Sequence, residues 1–224
     1  MKKIGLLLLV LCCLLTACGS SQTDANQTED QPHINENDTT AVTVAPLPVT
    51  LDIEQLDNCT AAVSLQEGSV AADENGTVQM TVTVYTYDLY DMVDIANLKI
   101  GDTIMIRQEE IQITELTRDD AGNVLINGGL DVGGYELHTA ENGVYFEIGY
   151  SDIKSYFAIG ETTLPVSLDF TYTDSSVLEQ DPVVYTVSDF LAEDSAIEYH
   201  FVPDNTSIVI ENGTILSMSR IYTP

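Results

Sequence analysis

Tryptophan is absent from these 224 residues, and only seven lysines and arginines stand against 36 aspartates and glutamates. Nucleic-acid binding needs a basic footprint along the phosphate backbone, and the chain has none. Attraction to anionic lipid head groups is excluded on the same ground. The missing tryptophan weighs against a sugar cleft built on flat aromatic platforms, although eleven tyrosines could take that part. Beyond His33 the histidines are His138 and His200, far apart in sequence. Zinc needs His and Cys clustered at ligand spacing, and two isolated histidines do not supply it. No Gly-x-Ser-x-Gly elbow, Gly-rich phosphate loop or paired-His helix occurs. Sequence spacing therefore nominates no catalytic, cofactor-binding or metal-ligating set.

What the chain does have begins at its first residues. Lys2 and Lys3 precede an almost unbroken apolar run, Ile4 to Leu15, which closes on Leu15-Thr16-Ala17-Cys18. Twelve residues of helix would cover about 18 Å, short of the roughly 30 Å of bilayer hydrocarbon. Length and flanks predict a signal peptide over residues 1–17, not a membrane span. The small residues before Cys18, followed at once by polar Gly19-Ser20-Ser21-Gln22, resemble the lipobox of bacterial lipoproteins. That resemblance implies a diacylglycerol on the Cys18 thiol, cleavage just before it, and a place on the outer face of the bacterial cell membrane. Cys12 and Cys13 would leave with the signal. The mature chain would keep Cys18, occupied by lipid, and Cys59, so no internal disulfide is expected.

Loss of Lys2 and Lys3 leaves five basic side chains against 36 acids, a net charge of −31. Contact with the bilayer is then expected through the Cys18 acyl anchor alone. Residues 18–48 are rich in Ser, Thr, Asn, Gln and acids, and cannot bury enough surface to offset their ordering entropy. They are predicted to be a disordered tether, roughly 30 Å end to end as a coil and about 100 Å when stretched. Asn-x-Ser/Thr triplets at Asn26, Asn37, Asn58, Asn75, Asn205 and Asn212 follow from an Asn/Thr-rich composition.

Residues 49–224 carry a dominant period of two. Leu164, Val166, Leu168, Phe170 and Tyr172 alternate with polar residues and with Pro165, which fits only a strand start or sheet edge. Val78, Met80, Val82 and Val84 form a second run, with Tyr85 and Tyr87 on its polar side; Val144, Phe146 and Ile148 form a third, with Glu147 facing away. Glu74-Asn75-Gly76, Glu141-Asn142-Gly143, Glu211-Asn212-Gly213 and Asp120-Ala121-Gly122-Asn123 each precede an apolar strand and read as hairpins, since Asn and Gly tolerate positive φ. Helix signals are brief: Asp91 with Asp94, Ser151 before Ile153, and Thr186 or Ser188 before Phe190. The expectation is an all-β domain, a mainly antiparallel sandwich or barrel with two or three very short helices. Gly128 to Gly134 marks a sub-boundary or a loop within one domain; a single domain is preferred.

Several residues invite a functional reading. Cys59 reads as a buried small side chain, or as a thiol nucleophile if a histidine and an acid converge on it. His200 shares a strand face with Glu198, and His138 lies beside Glu136. Asp119-Asp120 with Asn123, or Asp131 among its glycines, could line a calcium loop, though ordinary turn chemistry explains both. Tyr85, Tyr87, Tyr90, Tyr145, Tyr150 and Tyr156 could present an aromatic binding face or cap the edges of a core. The resulting expectation is a membrane-anchored extracytoplasmic lipoprotein whose acidic β domain binds an unknown protein or glycan of the envelope. The alternative is an extracellular hydrolase with a carboxylate or Cys/His site, and a third reading is a spacer or inhibitor domain.

Overall fold

A computed structural model describes residues 40–49, 51–140 and 142–224. The signal segment, Cys18 and residues 19–39 of the tether lie outside the described residues; residues 40–48, expected to be disordered, instead carry a strand at Thr43–Val44 that pairs with Thr103 and Ile104. Within them the chain forms β1 (Thr43–Val44), β2 (Cys59–Ser64), β3 (Val70–Ala72), β4 (Val78–Thr86) and β5 (Leu89–Asp91). Helix α1 (Met92–Asn97) leads to β6 (Thr103–Ile106), β7 (Glu109–Gln112), β8 (Leu116–Arg118), β9 (Val124–Ile126), β10 (Tyr135–Thr139) and β11 (Val144–Ile148). Then come β12 (Phe157–Ser175), β13 (Val183–Thr186), α2 (Val187–Leu191), β14 (Thr206–Glu211) and β15 (Thr214–Ile221). The fold is all-β, with two short helices, and its pairings are antiparallel except for β1 with β6 and β12 with β15.

Residues 40–224 hold two hydrophobic cores. Around the first, strands β12, β15, β14, β2 and β4 pair in that order, and β12 also pairs with β4, so the five close into a ring. The length of β12 makes this closure. Its first half, Phe157 to Pro165, runs antiparallel to β4, and its second half joins β15 in parallel. Pro165 sits at the changeover, where its missing amide hydrogen leaves no ladder bond unmade. The register against β15 slips between Val166 and Thr171. That bulge corrects the alternation read from sequence: Val166, Phe170 and Tyr172 are buried, but Leu168 is 100% exposed. Met80, Val82, Val84, Ile208, Ile210 and Ile215 fill the interior as their period of two requires. Each such side chain contributes about 1.5–3 kcal/mol on burial.

The second core belongs to an insertion. Thr86 at the end of β4 lies opposite Phe157 at the start of β12, so residues 87–156 leave and return at one place. They build a sheet in the order β5-β11-β10-β9-β8, and β6 and β7 join β1 in a smaller one. Tyr90, Ile95, Ile104, Ile106, Val124, Ile126 and Leu137 fill the space between. Strand β1 comes from the chain's first described residues and is pinned by buried Asp102, whose carboxylate accepts the Val42 and Lys99 amides at 3.0 Å each. Charge-assisted bonds of this kind are roughly twice as strong as neutral ones. The chain thus touches the second core first, crosses to the first at β2, and comes back for the insertion.

All four turns read from sequence join antiparallel neighbours: β3 to β4, β8 to β9, β10 to β11 and β14 to β15. Asp91 caps α1 through the Val93 amide, and Arg118 closes its far end by donating to the carbonyls of Ile95, Ala96 and Leu98. Thr186 and Asp189 form the capping box of α2. Ser151 does not start a helix. Its φ of 63° places it in a left-handed turn within residues 150–152, because the chain must reverse there to bring Ser155 back against β11. Gly128 to Gly134 links β9 to β10, which are paired neighbours in the second core. Gly134 is required by close approach: a Cβ there would stand 2.2 Å from the Ile126 carbonyl oxygen.

Candidate functional site

A gathering of buried ionisable groups lies in the insertion. Asp88 follows β4, Tyr90 is in β5, Arg107 is in the β6–β7 turn and Glu147 is in β11. Sheet pairing brings them together, since Tyr145 and Phe146 of β11 lie opposite Tyr90 and Leu89. Asp88 is 3% exposed and Glu147 is 2% exposed. Burying two carboxylates is expensive unless each finds a partner. Arg107 serves both. Its amide donates to Asp88 Oδ2 at 2.6 Å, and its guanidinium Nε stands 3.1 Å from Glu147 Oε2. The second contact is an ion pair without hydrogen-bond alignment, and Glu147 Oε2 is left without a hydrogen-bond partner.

Electrostatics follow from that arrangement. Burial pushes the Glu147 carboxyl up to about 7; Arg107 opposes the rise, Asp88 reinforces it and Ser155 opposes it. Burial, with Asp88 and Glu147 adding to it, also raises the Tyr90 hydroxyl far above its usual range. That hydroxyl lies 2.8 Å from the Met105 carbonyl oxygen and 3.3 Å from Asp88 Oδ2, and its single proton favours the shorter contact. The guanidinium thus pairs with Glu147 alone, Asp88 takes the Arg107 backbone amide, and the Arg107 side chain is 44% exposed.

A groove opens beside this nest, between the insertion, the start of β12 and residues 45–51. It encloses about 490 Å³ and is lined by Pro46, Leu47, Leu51, Met105, Phe157 and Ile159, with Asp88 and Gln108 as polar members. Mostly apolar walls with a few fixed polar groups are the usual makeup of a small-molecule site. A second opening of about 410 Å³ near Ser64, Ser69, Thr81, Thr83 and Glu161 is polar throughout.

The residues singled out from sequence are not brought to either place. Cys59 opens β2, and its thiol is held above its ordinary pKa by burial and by Asp57. Its neighbours in the nearest depressions are Asn58, Thr60, Ile210 and Glu211 on one side and Leu47, Pro48, Val49 and Leu51 on the other, with no histidine among these described residues. His138 pairs with Glu136 at 2.8 Å, and His200 is exposed. Asp119 spends its carboxylate on the amides of Ala121 and Asn123 and on the Asn123 side chain, which is turn chemistry. Among the described residues no group of three or more His, Cys, Asp or Glu is placed to hold a metal ion. The tyrosines scatter. Tyr90 is core, Tyr145 donates to the Gly122 carbonyl, Tyr150 is 77% exposed, and Tyr87 packs edge-on against Tyr156 beneath Lys154.

A second buried pair holds the first core. Arg220 donates through two nitrogens to Asp174 and through a third to the Glu198 carbonyl, with Phe201 against its guanidinium. Burial pushes the Asp174 carboxyl up, but the bonds from Arg220 and Ser176 outweigh it and bring it down to about 2.

Asp88 and Glu147 gave little sign of themselves in the sequence. Glu147 sits at an alternating position that reads as solvent-facing; the returning chain at Ser155, whose amide bonds the Glu147 carbonyl, covers it. Asp88, between Tyr87 and Leu89, was one acid among 36. Comparison with protein-family models, curated proteins and solved structures returned no match to this chain.

Proposed function

We propose that this chain is a membrane-anchored extracytoplasmic lipoprotein, held by lipid on Cys18, whose acidic β domain binds a partner in the cell envelope. The observation that carries the anchoring is the apolar run closing on Leu15-Thr16-Ala17-Cys18 and giving way at once to a polar tether. Support for binding comes from the groove between the two cores, where apolar walls meet one buried carboxylate. The experiment is fractionation of cells expressing the chain or its Cys18→Ala variant, followed by cross-linking on intact cells. The native chain should partition with membranes and the variant should not; specific envelope partners should cross-link to the native chain. Equal partitioning of the two would remove the anchor, and cross-linking no different from an unrelated lipoprotein would remove the binding role.

One observation favours the runner-up, an extracellular hydrolase. Glu147, held near 7, has the proton affinity of a general acid at neutral pH, with Asp88 as a second carboxylate. Against it, Glu147 lies beneath Arg107 and does not line the groove. Hydrolysis of envelope glycans or peptides that Glu147→Gln abolishes would decide for the enzyme.

A further inference from the structure

We propose that the groove between the two cores is a binding site for a small hydrophobic cation, an aryl- or alkylammonium whose apolar body lies on Leu47, Met105, Phe157 and Ile159 and whose charge meets Asp88. This deepens the binding half of the function proposed above and rests on it; lipid anchoring is not required for it.

Charge is what selects a cation. Asp88 and Glu147 are both buried; the Arg107 guanidinium pairs with Glu147, while Asp88 receives the neutral Arg107 backbone amide. The nest therefore lacks a full positive charge when both acids are ionised. The Arg107 amide donates to Asp88 Oδ2, and the Tyr90 hydroxyl stands 3.3 Å from the same oxygen; among the described residues no hydrogen bond ends on Oδ1. Among the described residues, the buried polar atoms left without a partner are Glu147 Oε2 and the Tyr172 hydroxyl. Asp88 lines this groove. An ammonium there would gain a charge-assisted bond to the carboxylate. The surrounding surface adds long-range pull, since acids outnumber bases 36 to seven along the chain.

The apolar walls select the body. Pro46, Leu47, Met105, Phe157 and Ile159 offer hydrocarbon and one aromatic ring, and Gln108 at the rim can accept a bond from a second N–H. About 490 Å³ suits a molecule of roughly ten to twenty heavy atoms. A fully hydrated inorganic cation would use none of these walls. A carboxylate or phosphate would face Asp88 with like charge.

Isothermal titration calorimetry on the full lipidated chain in nanodiscs of zwitterionic lipid tests this, with empty nanodiscs as reference. The probes are phenethylammonium, 2-phenylethanol and phenylacetate, which share an aryl body and differ in charge. The expected order is phenethylammonium with a Kd of about 0.1–1 mM, the alcohol at least tenfold weaker and the anion showing no heat. Asp88→Asn should erase the preference for the cation over the alcohol, and Ile159→Trp, which fills the groove, should weaken both while leaving the circular dichroism spectrum unchanged. Equal affinity for cation and alcohol, a cation preference that survives Asp88→Asn, or the absence of heat from phenethylammonium would each overturn the site. Should that happen while envelope cross-links persist, the broader binding role stands on another surface.

Discussion

Glu147→Gln separates the chemistry of the nest from that of the whole acidic surface. In the folded chain the Glu147 carboxyl is held at about 7, against an ordinary 4.5. A raised carboxyl means that the folded state holds its proton where the unfolded chain has already lost it. Stability contributed by that proton is complete below pH 4.5 and is lost as pH rises through 7. At about 1.4 kcal/mol for each pH unit of difference, the loss amounts to about 3 kcal/mol, most of it between pH 5 and 7. That is a sizeable fraction of the stability of an ordinary domain. Self-repulsion among the surface acids slopes the same way, so the native protein alone cannot isolate the effect. Glutamine keeps the shape and does not titrate. Urea unfolding followed by circular dichroism at pH 5, 6, 7 and 8 gives the two slopes. The native chain should lose about 2–3 kcal/mol more than Glu147→Gln between pH 5 and pH 8. Parallel slopes would refute the reasoning and place Glu147 in contact with water.

Other expectations follow from the same contacts. Asp174, depressed to about 2, contributes stability that is present above its ordinary 3.8 and is lost as pH falls through 2; Arg220→Met should remove that acid-side loss and lower stability at pH 7 by about 3–5 kcal/mol in urea melts. Gly134→Ala should prevent β10 from meeting β9, because its Cβ would overlap the Ile126 and Asn127 carbonyls, and should appear as a large fall in melting temperature. Asp102→Ala should free β1, so that hydrogen exchange speeds up at Thr43 and Val44 while the amides of β14 and β15 keep their protection. Asn127, whose side-chain oxygen accepts from the Thr114 and Glu115 amides and whose nitrogen donates to the Gln112 carbonyl, should lose about 1–3 kcal/mol on replacement by alanine.

Local chemistry was legible in the sequence and its assembly was not. Asn142-Gly143 and Asn212-Gly213 marked their hairpins because positive φ is written into those residue types. Met80, Val82 and Val84 marked a core face because alternation is a property of the strand itself. Leu168 was misplaced, since a bulge arises from the mismatch between two partners and not from either strand alone. The ring closure likewise depends on β12 pairing with β4 and then β15, two segments on opposite sides of it in sequence. Glu147 and Asp88 were hidden for a related reason. Burial of a charge is decided by what the chain folds over it, here the segment around Ser155 and the turn at Arg107. The groove draws its lining from separate places in the chain, Ala45 to Val49 with Leu51, then Asp88, Met105 and Gln108, then Phe157 and Ile159, and no spacing within one of them foretells it.

Where the chain is held is measured directly by the mass of its amino-terminal peptide. Proteolysis of protein purified from its own membranes should yield a peptide beginning at Cys18 and heavier by a diacylglyceryl group. A peptide beginning upstream of Cys18, or one beginning there with a free thiol, would contradict the anchored lipoprotein.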